Sequence, residues 1–220
     1  MDKNLLKLNN IFLKGKEKTV KSHEVICDGE NCLKQVFFIK EGYVKHYSLT
    51  KEGEEVVFHF FEKNSVFPLT LIISGKNPKH FFETISVAKL VSLPTEEFLT
   101  HLNQDSELLA YFLKNIARGL VGLTTRIESL ISKQALYKTI SLLLYFAQKN
   151  TTGDNYAEIK QNLTHKEFAN WLGNTRETVS RQMEKLKKER LVNYQRGKLI
   201  IPDIKKLETR LTLLEKSETA

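Results

Sequence analysis

Leu163-Thr164-His165-Lys166-Glu167-Phe168-Ala169-Asn170-Trp171-Leu172-Gly173-Asn174-Thr175-Arg176-Glu177-Thr178-Val179-Ser180-Arg181-Gln182-Met183 is the stretch on which the reading of this chain turns. Thr164 followed three residues later by Glu167 is a capping box, in which hydroxyl and carboxylate each satisfy a backbone N–H at a helix start. Asn174 with Glu177 imitates the same pattern for a second helix. Between them Gly173 is free to take the left-handed conformation that ends the first helix and turns the chain. Two helices joined by a short turn, with small Ala169 where they cross and Val179 in the facing core, form a helix-turn-helix pattern.

The second helix has a physical reading. N-terminal residues of a recognition helix enter the major groove, and Arg176, Glu177, Ser180 and Arg181 share the face opposite Val179 and Met183. Arginine offers a bidentate fork to guanine O6 and N7, glutamate accepts from cytosine N4, and serine reaches a phosphate or a base edge. These four are the expected base-reading residues. Thr164, His165, Lys166, Thr175 and Thr178 are expected on the backbone, together with Lys188 in the basic run Lys185-Leu186-Lys187-Lys188-Glu189-Arg190. Downstream, Leu191–Gln195 and Lys198–Ile201 flank Arg196-Gly197, which reads as a β-hairpin wing whose Arg196 and Lys198 add two further phosphate contacts. Pro202-Asp203 opens a last helix carrying Ile204, Leu207, Leu211 and Leu214.

Charge supports this placement. Residues 1–132 hold 17 Lys+Arg against 16 Asp+Glu, a net of +1, and residues 133–220 hold 17 against 10, so +7 of the total of +8 lies in the last two fifths. A basic footprint confined to one segment is the expected electrostatic sign of a nucleic-acid-binding domain.

Toward the N-terminus the pattern changes. After a short amphipathic start (Leu5, Leu6, Leu8, Ile11, Phe12), β-type runs at Val20–Cys27, Val36–Lys40, Tyr43–Leu49, Glu55–Phe61, Phe81–Val87 and Lys89–Leu93 alternate with turn signals such as Asp28-Gly29, Glu41-Gly42 and Glu52-Gly53. Short strands at such regular intervals argue for a small sandwich or barrel. From Pro94 the period becomes helical, with Thr95 the expected N-cap. A long helix over about 106–132 carries Leu109, Phe112, Ile116, Leu120, Leu123, Ile127 and Leu130 at steps of three or four, one apolar stripe over some seven turns. That stripe is longer than a small β domain covers, so the helix is expected both to lie over that domain and to pair with its twin. A further apolar helix at Ala135–Gln148 belongs in a core, and residues 149–155 read as a polar loop.

With these elements in place, the chain resembles the Crp/Fnr family of bacterial transcription regulators. The resemblance rests on Arg176-Glu177-Thr178-Val179-Ser180-Arg181 and on the order β-roll, long helix, winged helix. It implies a homodimer on near-palindromic double-stranded DNA with half-sites resembling TGTGA, and contact with RNA polymerase. Cyclic-nucleotide binders of the family carry a Gly-Glu-Leu turn and a downstream Arg-Ser or Arg-Thr. Here the corresponding stretches read Val66-Phe67-Pro68-Leu69 and Lys79-His80-Phe81-Phe82-Glu83-Thr84, without that acid or that arginine. A buried phosphate lacking its bidentate cation is costly, so cyclic AMP is not expected to bind. Thr124 and Thr125 lie about where the family's nucleotide base would rest.

Other sensors find little support in the sequence. Cys27 and Cys32 are too few for an iron–sulfur ligand set and read as reduced structural thiols, with a redox dithiol as the alternative. His23, His46, His59 and His80 lack paired ligand spacing, and His101 and His165 are expected to face solvent or phosphate. Phe60, Phe61, Phe67, Phe81 and Phe82 read as core that could line an apolar pocket. No cofactor, metal or catalytic residue is expected, and an effector, if there is one, is an unidentified small molecule. No apolar run of membrane length and no signal peptide is evident, which points to the cytoplasm and away from a membrane.

The expected fold class is α+β: an antiparallel, jelly-roll-like β-roll at 1–104, a dimerisation helix at 105–132 and a winged helix-turn-helix at 133–220. Two rivals are a metal-dependent enzyme of the cupin type and a DNA-binding protein whose β-roll is only a scaffold.

Overall fold

A computed structural model describes residues 3–76, 79–131, 134–150, 155–159 and 163–218. The chain divides into two compact units, 1–121 and 122–220.

The first unit opens with α1 (Lys3–Phe12) and continues through β1 (Lys16–Val20), β2 (Val25–Asp28), a 3-10 turn (Gly29–Leu33), β3 (Gln35–Glu41), β4 (Val44–Leu49), β5 (Glu55–Phe61) and β6 (Val66–Phe67). Then follow α2 (Leu69–Ser74), β7 (His80–Thr84), β8 (Ala88–Pro94) and α3 (Thr95–Gln104), and α4 (Ser106–Ile131) runs on across the division. Eight strands form two antiparallel four-stranded sheets, ordered β1-β8-β3-β6 and β2-β7-β4-β5. Val20, Cys27, Ile39, Val44, Phe67, Phe82, Ala88 and Leu90, from both sheets, make one core. Val36 and Phe38 of β3, with Val91 and Leu93 of β8, point the other way, onto Leu8 and Phe12 of α1, Phe98 and Leu102 of α3, and Leu108 and Phe112 of α4. Burial on both faces explains why β3 reads as an unbroken apolar run, Val-Phe-Phe-Ile, instead of alternating.

Several expectations are corrected. The run predicted as one strand, Val20–Cys27, is two, because His23 takes a positive φ of 61° and the chain breaks over 21–24. Thr84 fills that break: its backbone N–H donates to Glu24 O, its Oγ1 accepts from Glu24 N, and the same hydroxyl donates to Lys21 O. Thr95 does not cap α3. Pro94 occupies the N-cap, while Thr95 donates its hydroxyl to Leu33 O (2.7 Å) and its N–H to Lys34 O (3.1 Å). Cys27 and Cys32 are not free thiols but a disulfide that closes the 3-10 turn within the core.

In the second unit α5 (Ala135–Asn150) extends into the predicted polar loop, of which residues 151–154 lie outside the described residues. β9 (Ala157–Ile159), α6 (His165–Leu172), α7 (Arg176–Lys188), β10 (Asn193–Gln195), β11 (Lys198–Ile201) and α8 (Ile204–Glu218) complete it. The strands form a small antiparallel sheet ordered β10-β11-β9. Phe146 and Tyr145 of α5 meet Phe168 and Trp171 of α6, with ring centroids 5.7–6.2 Å apart, fixing α6 against the core. Among the described residues no helix is long and apolar enough to cross a membrane.

Candidate nucleic-acid interface

The turn between α6 and α7 is built from local chemistry. Thr164 Oγ1 accepts from Glu167 N (3.2 Å), and the buried Glu167 carboxylate accepts from Thr164 N (2.6 Å), closing the capping box read in the sequence. Gly173 ends α6 in the left-handed conformation, φ 60° and ψ 38°, and its N–H donates to Ala169 O. Asn174 is not the second cap. Thr175 takes that place, its Oγ1 accepting from Thr178 N (3.2 Å), while the buried Asn174 Nδ2 has no hydrogen-bond partner among the described residues. Asn and Thr both cap well, and only the backbone decides between neighbours.

α7 buries Val179, Met183 and Leu186 and turns Arg176, Glu177 and Arg181 to solvent, with Ser180 and Thr178 half-buried beside them. Of the four predicted base-reading residues, all in the first two turns of α7, three are therefore exposed and Ser180 is half-buried. Lys185, Lys187 and Lys188 fill the last turn, where cations complement the helix dipole. Of the predicted backbone contacts, Thr164, Lys166, Thr175, Lys188 and Arg196 are exposed and His165 is half-buried. The β10–β11 hairpin turns through Arg196 (φ 52°) and Gly197 (φ 78°), the pair of positive values a tight two-residue hairpin requires. Lys198 is exposed as well, with its Nζ paired to Glu158 of β9.

One contact was not legible in the sequence. Tyr194 of β10 lies with its hydroxyl 3.2 Å from His165 Nε2, joining the wing to the first helix of the motif. Burial, reinforced by the Arg176 guanidinium, holds the His165 imidazole below its ordinary range, and burial pushes the Tyr194 phenol up.

On α4, Phe112 of the predicted stripe packs into the first unit's core. Leu109, Ile116, Leu120, Leu123 and Ile127 are exposed, as are Leu113 and Val121, which the stripe had not included; the side chain of Leu130 lies outside the described residues.

In the β-roll, the stretches read in the sequence as lacking the family's nucleotide-binding acid and arginine fall on β6, α2 and β7. Val66–Phe67 is β6, Leu69 begins α2, and the Thr84 hydroxyl is consumed by the backbone of 21–24. Glu83 places a carboxylate on β7, paired with Lys45 (3.2 Å). Register also brings His46 of β4 and His80 of β7 together, Nε2 to Nδ1 at 2.8 Å, with His46 stacked on Phe82. Of the five phenylalanines read as core, Phe61, Phe67 and Phe82 form an aromatic group, while Phe81 stacks on Tyr47.

Comparison with known proteins agrees with this architecture. Residues 17–105 match a family model described as a cyclic nucleotide-binding domain, and residues 138–210 match one described as a Crp-like helix-turn-helix domain. The chain is 24% identical over 170 residues to the global nitrogen regulator of Nostoc sp. strain PCC 7120, covering 76% of each chain. Among solved structures it is similar to FixK2 from Bradyrhizobium japonicum, with a TM-score of 0.76 and 18% identity over 90% of this chain and 97% of that one. It is also similar to a CooA variant from Carboxydothermus hydrogenoformans, with a TM-score of 0.77 and 20% identity over 96% and 97%. With a β-roll, a long connecting helix and a winged helix-turn-helix in that order, matched by both family models, the chain belongs to the Crp/Fnr family of transcription regulators.

Proposed function

We propose that this protein acts in the cytoplasm as a homodimer on near-palindromic duplex DNA. In this reading α7 lies in the major groove, where Arg176, Glu177, Ser180 and Arg181 read base edges. Thr164, His165, Lys166, Thr175, Thr178, Lys188, Arg196 and Lys198 hold phosphates, and the bound dimer contacts RNA polymerase. The observation that carries it is that the first two turns of α7 expose Arg176, Glu177 and Arg181 while the helix is held by buried Val179, Met183 and Leu186. The exposed apolar row on α4 supports pairing with a second copy, because a solvent-facing stripe of leucine and isoleucine over several turns is what a helix dimer buries. Lys198 reaches phosphate by leaving Glu158, an exchange between two partly exposed partners that costs little.

The β-roll does not take cyclic AMP in this account, and any effector is a small molecule of another class. The enzyme reading has no comparable support: among the described residues no three or more His, Cys, Asp or Glu side chains are grouped to hold a metal ion, whereas the residues of the DNA face stand together on α7. The test compares Arg176→Ala with Lys188→Ala on a bound site and on random DNA. Arg176→Ala costs about 1–3 kcal/mol on the site and relaxes one base position. Lys188→Ala weakens all sequences alike and lowers the salt slope. Equal losses on specific and random DNA for both variants would overturn the base-reading assignment.

A further inference from the structure

His165 is the sole histidine beyond residue 101, and it stands among residues that the DNA reading assigns to phosphate. It is half-buried at the first position of α6, and its Nε2 meets the hydroxyl of Tyr194 from the wing at 3.2 Å. The groups that face it are few. Arg176 and Glu184 approach from α7 and Tyr194 from β10, while on its own helix the Glu167 carboxylate is already bound by the Thr164 N–H and hydroxyl.

Resting on the DNA-binding reading, we propose that His165 and Tyr194 form a proton-coupled clasp for a DNA phosphate, so that each protomer takes up a proton as duplex binds. In the free protein the imidazole is neutral, and the phenol donates its O–H to Nε2. When a phosphate arrives, the imidazole takes a proton from solvent at that nitrogen. The new Nε2–H donates to the tyrosine oxygen, and the phenolic O–H is released to donate to a phosphate oxygen. The one bond formed is Nε2–H, its proton released from hydronium or a buffer acid in solvent, and the proton is the only species gained. Free protein disfavours the charged imidazole because of its burial and the neighbouring Arg176. A phosphate reverses that preference by supplying an anion at the same place. Arg176, exposed on α7, lies in the negative field of the duplex in this reading, which offsets its opposition to protonation.

Linkage fixes the sign. A group that binds a proton only in the complex makes association tighter as pH falls, and the effect vanishes where the imidazole is neutral in both states. Tyr194 makes its phosphate contact only when His165 is charged, so its hydroxyl matters at acid pH and not at alkaline pH.

The experiment measures affinity of the full-length protein for a labelled random-sequence duplex at fixed low ionic strength, from about pH 8 to about pH 6. A random duplex is used because phosphate contacts are independent of sequence. Wild type, His165→Gln and Tyr194→Phe are compared, with circular dichroism confirming that each is folded. The expected result is that wild-type affinity gains at least about tenfold more toward acid than that of His165→Gln. Tyr194→Phe should match wild type near pH 8 and fall behind it near pH 6. If His165→Gln binds with the same pH slope as wild type, the clasp is wrong while the DNA reading stands. A Tyr194→Phe loss that is equal at both ends of the range makes the contact a structural brace and overturns the relay. If the wild type binds no duplex at any pH, the DNA reading fails and the clasp fails with it.

Discussion

Acid should loosen the β-roll through one imidazole. His46 lies on the inner side of the β2-β7-β4-β5 sheet, its ring 4.5 Å from Phe82 and nearly parallel to it, with Phe58 and Phe61 close by. Burial, with a smaller contribution from His80, pushes its pKa down from 6.5 to about 3. The unfolded chain therefore binds a proton that the folded protein refuses throughout the interval between these values. Stability from this site is complete above pH 6.5 and is lost as pH falls below it. Each pH unit costs about 1.4 kcal/mol, so a fall of about two units should remove about 2 to 3 kcal/mol. Glu17, Glu24, Asp105, Glu107 and Asp203, held below their ordinary range by their partners, also lose stabilisation as pH nears their unfolded values, but they do so equally in wild type and variant and cancel in the comparison. The perturbation is His46→Phe, which keeps an aromatic ring on Phe82 and removes the titration. Urea unfolding followed by far-UV circular dichroism reads the effect, with Trp171 fluorescence reporting the second unit separately. Wild type should lose about 2 to 3 kcal/mol more than His46→Phe between about pH 6.5 and 4.5. Parallel pH profiles for the two proteins would refute the reasoning.

Three further outcomes are expected. Reduction of Cys27–Cys32 reopens a loop spanning a sequence separation of 5; on chain entropy this destabilises the first unit by about 2 kcal/mol, and identical melting with and without dithiothreitol would contradict it. Leu120, 62% exposed on α4, becomes buried if two copies pair, so Leu120→Asp should weaken dimerisation at least about tenfold in sedimentation equilibrium. A variant that sediments as wild type removes that helix from the interface. Gly173→Ala adds a Cβ that meets nothing within 4 Å, yet its φ of 60° is unfavourable for alanine, so the melt followed by Trp171 fluorescence should show a cost of about 1 kcal/mol. An unchanged melt would mean the turn relaxes freely.

What was legible in the sequence follows the range of the interactions involved. The helix-turn-helix was readable because its determinants are local: Thr164 and Glu167 are three residues apart, and Gly173 acts through its own φ. The period of α4 was readable for the same reason, although which stripe residues the first unit covers depends on packing, and Phe112 alone among those described turned inward to its core. Contacts between distant residues were invisible. His46 and His80 are 34 positions apart and meet only through the register of β4 with β7, and His165 and Tyr194 are 29 apart. Val20–Cys27 looked like one strand because nothing in its residue types announces the positive φ at His23 that Thr84 helps to hold. Cys27 and Cys32 read as reduced thiols because two cysteines are too few for a disulfide scaffold, and the 3-10 turn that brings the sulfurs together is not encoded in their spacing. β6, only two residues long, is defined by pairing with Phe37 and Phe38 and carries no pattern of its own.

The most direct test of the central claim is selection of bound duplexes from a random DNA library by the purified, ligand-free protein at near-physiological salt, with Arg176→Ala/Arg181→Ala as control. The account predicts an inverted repeat whose half-sites lie about one helical turn apart, lost in the control. Enrichment of the same sequence by wild type and control, or of an unpaired site with no internal symmetry, would contradict it.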